Sequence, residues 1–212
     1  MKNAIRRNEN FADAYFSRGR SYFLQGKLEE ATADLSKAVS INNSFAEWNY
    51  YAGKSFKAAG KFQQAADYFS STIKQDSTGK FDDAIYQRGN SYLLLENYDV
   101  ALKDYLEVIK RKKDSVYHHF NFELGNVYIN TKHADEALAY YKKEYALDST
   151  AMDNVYAMGI AYVQKGLIDE AIPYLERILQ SKGTTTKKMK NNKLLATISE
   201  DKRFTDLLKK YK

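Results

Sequence analysis

The chain contains no cysteine. That excludes disulfide frameworks, Cys-ligated zinc, iron–sulfur clusters and thiol nucleophiles. It leaves the compartment open, so no localisation is assigned. There is one proline and there are ten glycines in 212 residues, both below ordinary usage. No apolar run approaches the roughly 18 residues that a membrane-spanning helix needs, and no signal-peptide pattern is visible. Histidine is scarce: His118, His119 and His133. The adjacent pair projects about 100° apart on a helix, and no further ligand joins it at metal-binding spacing. No metal or other cofactor is therefore expected. No glycine loop is placed to cradle a phosphate. The carboxylates fall mostly in first helical turns (Asp13, Glu29, Glu47, Asp83, Asp135, Asp153, Asp169), where they complement the helix dipole. No catalytic constellation emerges, and the chain is not expected to be an enzyme.

Hydrophobic residues make up 44% and charged residues 28%, which suits a packed, water-exposed domain. The net charge of +6 is local. From Thr184 to Lys212 there are nine basic and three acidic residues, so the whole excess lies in the tail and the first 183 residues are neutral. Aromatics are abundant, with 18 Tyr and 11 Phe, which points to helices packed through rings.

The body repeats itself. Gly19, Gly53, Gly89, Gly125 and Gly159 are spaced by 34, 36, 36 and 34 residues. Twelve residues after each comes alanine: Ala31, Ala65, Ala101, Ala137 and Ala171. Three after each comes Tyr22, Phe56, Tyr92, Tyr128 or Tyr162, and sixteen after each comes Leu35, Phe69, Tyr105, Tyr141 or Leu175. Gly26, Gly60 and Gly166 form a second column seven after the first. Apolar residues on both sides of the first glycine keep helical spacing, so that glycine sits mid-helix at a cost of about 1 kcal/mol relative to alanine. Its recurrence at one phase argues for close helix packing, with the alanine methyl of the following helix expected opposite. The second column falls where the first helix of each pair should end, the preferred place for a left-handed residue.

These columns resemble the tetratricopeptide repeat family, from Arg18-Gly19…Tyr22…Ala31…Leu35 through Met158-Gly159…Tyr162…Ala171…Leu175. The resemblance covers about residues 11–181. It implies an all-α, right-handed solenoid of five helix-turn-helix repeats, at about 11–44, 45–78, 81–114, 117–150 and 151–183. Residues 1–10 align with the second helix of a repeat and are expected to be the remnant of a preceding one, in a piece of a longer protein. Residues 184–212 are expected to form basic C-terminal capping helices at Lys187–Ile198 and Glu200–Tyr211, the second capped by Ser199. The family's closing proline is missing, and Asn43, Ser77, Lys113 and Ser149 stand in its place. The third and fourth repeats start two residues late, which lengthens the loops before them. Pro173 falls inside the last repeat's second helix, where it removes a backbone hydrogen bond.

The resemblance also implies function: a non-catalytic scaffold or adaptor holding a protein or extended peptide in a concave groove lined by the first helices. The column three before each glycine holds Phe16, Tyr50, Tyr86, Phe122 and Tyr156, where rings serve packing in this family as well as binding. The column just after holds Arg20, Lys54, Asn90, Asn126 and Ile160. These ten residues are the candidate peptide-binding groove, basic at its N-terminal end and apolar at its C-terminal end. The asparagines would pair with an extended backbone. The carboxylate clamp of heat-shock co-chaperones is not matched, because Asp83 has the wrong sign at one of its positions. Two alternatives carry their own signals. The tail lysines Lys187, Lys188, Lys190 and Lys193 could hold a polyanion, nucleic acid or anionic lipid, although no aromatic interleaving for base stacking accompanies them. The chain could instead be the regulatory module of a larger enzyme. Lys110-Arg111-Lys112-Lys113 reads as a charged helix end. The N-terminal face around Tyr15 and Tyr22, missing its partner helix, offers a route to weak homo-oligomerisation.

Overall fold

A computed structural model describes residues 11–111 and 119–212. The expected N-terminal remnant, with His118, Lys112 and Lys113, lies outside these residues. The described chain is helical, with no strand among the described residues. It falls into two compact units, residues 1–113 and 114–212.

The first unit holds three helix pairs: α1 (Ala12–Leu24) with α2 (Leu28–Ile41), α3 (Ala46–Ala58) with α4 (Phe62–Gln75), and α5 (Asp83–Leu94) with α6 (Tyr98–Lys110). The second holds α7 (Phe120–Asn130) with α8 (Ala134–Leu147), then α9 (Met152–Gln164) with α10 (Ile168–Gln180). After these come a short α11 (Thr186–Lys190), a 3-10 helix (Lys193–Ile198) and α12 (Lys202–Lys210). None of α1–α10 has a side-chain N-cap. Most carry an acid in the first turn instead, where the helix dipole favours it.

The glycine column lies at the tightest contact within each pair, but its partner is not the expected alanine. A β-carbon on Gly19 would lie 2.9 Å from Leu35, on Gly53 2.7 Å from Phe69, on Gly89 2.8 Å from Tyr105 and on Gly159 2.8 Å from Leu175; on Gly125 it would collide with the Tyr141 ring. The large residue sixteen places on fills the space that the missing side chain leaves. All five of these residues are fully buried, and so are the five alanines. Each large side chain contributes roughly 1.5–3 kcal/mol by burial. The second column ends the first helices: Gly26, Gly60 and Gly166 have φ of 73°, 73° and 75°. In the two repeats without that glycine, Glu96 and Lys132 take the same left-handed conformation, at 57° and 64°.

At the three described positions, Asn43, Ser77 and Ser149, a side-chain turn one residue earlier stands where the proline is missing. Asn42 Oδ1 accepts from the Ser44 amide. Asp76 Oδ1 accepts from the Thr78 amide and hydroxyl, and its Oδ2 accepts from the Phe81 amide. Asp148 repeats the motif with Thr150. Such side-chain bonds mimic a backbone turn. Burial opposes ionisation of Asp76, but the bonds from Phe81, Thr78 and Lys80 prevail and hold its carboxyl below the usual range.

The tail departs from the two expected helices. Asn191 and Asn192 interrupt the first: Asn192 Oδ1 accepts from the Leu194 amide, while its Nδ2 donates to the Tyr156 hydroxyl. A side chain that offers the backbone another partner breaks a helix this way. The cap of α12 is Asp201, accepting from the Arg203 amide at 2.9 Å, and not Ser199. The expected apolar stripe does pack. Phe204 and Leu207 are buried with Leu175, Ile178, Leu179, Met189 and Leu195, and Leu208 and Tyr211 lie against them. Arg203 pairs with Asp169 and Asp201, and Lys210 with Glu176, so part of the tail's charge is spent within the fold.

Candidate functional site

The helix-pair geometry sorts the ten candidate groove residues into three groups. The ring column is chiefly packing. Phe16 on α1 stacks on Trp48 of α3 at 5.3 Å between centroids and meets Tyr51 edge-on at 5.9 Å. Tyr50 lies 5.1 Å from Phe81, and its hydroxyl donates to Asp83 at 2.6 Å. Tyr86 is buried beside Tyr105, Phe122 packs against Tyr141 at 6.0 Å, and the Tyr156 hydroxyl is held by the tail. These rings join a first helix to its own partner helix or to the next repeat.

The asparagines form the second group. Asn90 is buried, and its Oδ1 accepts from the Tyr105 hydroxyl. Asn126, half-buried, does the same for Tyr141 at 2.9 Å. Each amide is engaged inside its own repeat, with its carbonyl turned toward the second helix. That orientation leaves the amide NH₂ as the group to meet anything outside. Burial pushes the Tyr141 phenol far above its ordinary pKa, so it stays a donor. Ile160 is buried in the cluster that contains the 3-10 helix residues Leu195 and Ile198. Its side chain belongs to the core of this unit.

The third group is cationic and open. Arg20 is exposed on α1, its guanidinium 4.7 Å from the Tyr51 ring centroid. Lys54 on α3 places Nζ 5.3 Å from the Tyr50 ring and 6.0 Å from Phe23. Lys57, one turn further, donates to Gln87 Oε1 of α5 at 2.7 Å. Arg20 and Lys54 thus lie among rings on consecutive first helices of one unit, with Lys57 one turn from Lys54. The rings hold the cations without neutralising them.

Two features escaped the sequence reading. Arg18 makes a two-pronged pair with Asp34 at 2.6 and 2.8 Å, and Arg88 does the same with Asp104 at 2.9 and 2.7 Å. Both occupy the same two columns, before the glycine and before the large residue, in the first and third repeats. Arginine and aspartate appearing together in those columns was the available signal. The second feature is Glu144 on α8, buried, with His119 Nδ1 3.0 Å from its Oε1. Its only sequence mark was an acid at the buried spacing of a helix, which first-turn acids masked. The described residues contain no group of three ligating side chains that could hold a metal ion, and no helix among them is long and apolar enough to cross a membrane.

Known proteins agree with this geometry. Family models of the tetratricopeptide repeat match residues 19–60, 49–78, 86–151 and 153–185. Among solved structures, that of MamA is 23% identical, covering 85% of this chain and 95% of its own, with a TM-score of 0.68. YrrB, a TPR protein with an unusual peptide-binding site, is 21% identical over 94% of this chain and 97% of its own, with a TM-score of 0.70. MamA from Desulfovibrio magneticus RS-1 is 20% identical over 82% of this chain and 97% of its own, with a TM-score of 0.68. At these identities the likeness establishes the fold. No curated protein matches the chain.

Proposed function

The chain belongs to the tetratricopeptide repeat family and is a protein-interaction scaffold, and we propose that its first unit captures an extended peptide bearing acidic side chains. The observation that carries this reading is the set of cations on α1 and α3: Arg20 and Lys54 among Tyr50, Tyr51 and Phe23, with Lys57 reaching from α3 to Gln87 of α5. A ring-supported cation meets a carboxylate while the ring faces cover the apolar part of the chain. The amide NH₂ of Asn90 on α5 is a donor of the kind that a peptide carbonyl accepts. Phe16 and Tyr86 support the first-unit helices that present these groups. We assign no catalytic step to the repeats.

Affinity selection from a randomised peptide library on the full chain tests this reading. Selected peptides should be enriched in Asp and Glu, and the Arg20→Glu, Lys54→Glu double variant should lose at least tenfold in affinity. Both side chains reach solvent, so the fold should persist, as circular dichroism would show. Binding that survives the double variant unchanged would overturn the proposal. A second reading rests on Lys187, Lys188, Lys190 and Lys193, which are exposed and make no ion pair among the described residues. If they grip a polyanion, log K should fall steeply with log salt, roughly in proportion to the phosphates contacted.

A further inference from the structure

Within the second unit a cavity of about 330 Å³ opens between the start of α7, the end of α8 and the start of α9. His119, Phe122, Glu144, Met152, Asp153 and Asn154 line it. Its polar side chains present acceptors. Glu144 is 4% exposed; its Oε1 is engaged by His119, while its Oε2 is buried without a hydrogen-bond partner among the described residues. A carboxylate oxygen accepts, so His119 Nδ1–H is the donor in that pair. Asn154 is 1% exposed. Its Nδ2 donates to the Tyr141 carbonyl at 2.9 Å. That carbonyl can only accept, so the amide orientation is fixed and Oδ1 is left as a buried acceptor without a partner among the described residues. Asp153 adds a further negative charge at the edge.

A buried carboxylate and a buried amide oxygen, each lacking a donor, are costly to leave so. A ligand that brings donors and positive charge relieves both. Phe122 and Met152 supply an apolar wall for an aliphatic stem, and a ring face for the head group. The described residues hold no metal-ligating triad, so an organic cation fits better than a metal ion. We infer that this cavity is a specificity pocket for a cationic side chain, the guanidinium of arginine or the ammonium of lysine, presented by a bound protein. The protein source of that side chain rests on the scaffold reading above; the chemistry of the pocket does not. The pocket has the opposite sign to the Arg20–Lys54–Lys57 cluster, so the two sites would select opposite charges.

The test uses the full chain and single blocked amino acids, so failure of peptide capture at the first unit leaves it untouched. Nα-acetyl-arginine amide, Nα-acetyl-lysine amide and the neutral isostere Nα-acetyl-citrulline amide are titrated while NMR follows the Asn154 side-chain amide and the backbone of Met152–Asn154. Arginine or lysine amide should shift these signals saturably in the millimolar range, at least tenfold more tightly than citrulline amide. The tighter of the two cations identifies the head group. Glu144→Gln should abolish saturation. Met152→Trp, which fills the cavity without changing a charge, should do the same and serves if Glu144→Gln does not fold. Equal binding of citrulline amide, saturation retained in both variants, or no saturable shift with either cation would overturn the inference.

Discussion

Replacing Gly89 with alanine places a methyl group where Tyr105 and Asp104 already stand. The new carbon would lie 2.8 and 2.9 Å from two ring atoms of Tyr105 and 3.2 Å from Asp104 Cβ, against a comfortable carbon–carbon separation of about 3.5–4.0 Å. Neither neighbour can retreat. Tyr105 is fully buried with its hydroxyl bound to Asn90, and Asp104 is clamped by the Arg88 guanidinium. Overpacking of this kind costs about 1–3 kcal/mol, and alanine returns about 1 kcal/mol of helix propensity. The net loss should be up to about 2 kcal/mol. Gly159→Ala is the control. There the closest atom is a terminal methyl of Leu175 at 2.8 Å, with Cγ at 3.2 Å. A branched aliphatic end can swing aside, so that variant should lose under about 1 kcal/mol. Urea denaturation followed by circular dichroism at an unchanged m-value measures both. A Gly89→Ala midpoint at or above wild type, or a larger loss at Gly159, would refute the packing argument.

Three further outcomes follow from the same contacts. Asn126→Ala should destabilise by about 1–3 kcal/mol by stranding the buried Tyr141 hydroxyl, and adding Tyr141→Phe should restore most of the loss in a double-mutant cycle. Glu96→Gly and Lys132→Gly should each add up to about 1 kcal/mol of stability, read as a higher urea midpoint, because the relief of left-handed strain exceeds the entropy that glycine returns to the unfolded chain. The docking of α12 should weaken in acid. The Arg203 guanidinium holds the Asp201 carboxyl down at about 2, and Lys210 with Tyr211 lowers that of Glu176. A folded-state pKa below the unfolded value contributes stability above the unfolded pKa and loses it as pH falls through the folded one. The stability difference between wild type and Asp201→Asn should therefore hold at neutral pH, shrink below about pH 4 and vanish near the Asp201 value of about 2.

The periodic part of the fold was legible because a repeat multiplies each weak signal by its copies. Five glycines at one phase and five alanines twelve residues on sufficed to place ten helices. What faced the glycine was not legible: Ala31 and Leu35 both recur at helical spacing, and only the packing shows that the larger side chain fills the gap. The tail, present in one copy, carried no such averaging. Asn191 and Asn192 broke a helix that its apolar spacing alone suggested, and the cap moved from Ser199 to Asp201. At the candidate site, exposure could not be read from a column. Arg20 and Ile160 share a position, yet the 3-10 helix cluster buries Ile160 while Arg20 meets solvent. The Glu144–Asn154 pocket depends on three elements converging, which no single stretch of sequence announces.

The central claim is that the first helices of the first unit, and not their partners, take up a peptide. A library-selected peptide carrying a nitroxide label at one end tests it directly, since the protein itself has no cysteine to label by accident. Paramagnetic broadening should centre on α1, α3 and α5, around Arg20, Lys54 and Gln87, and should spare the outer residues of α2, α4 and α6. Broadening centred on those second helices, or on Lys187–Lys193 of the tail, would contradict the account.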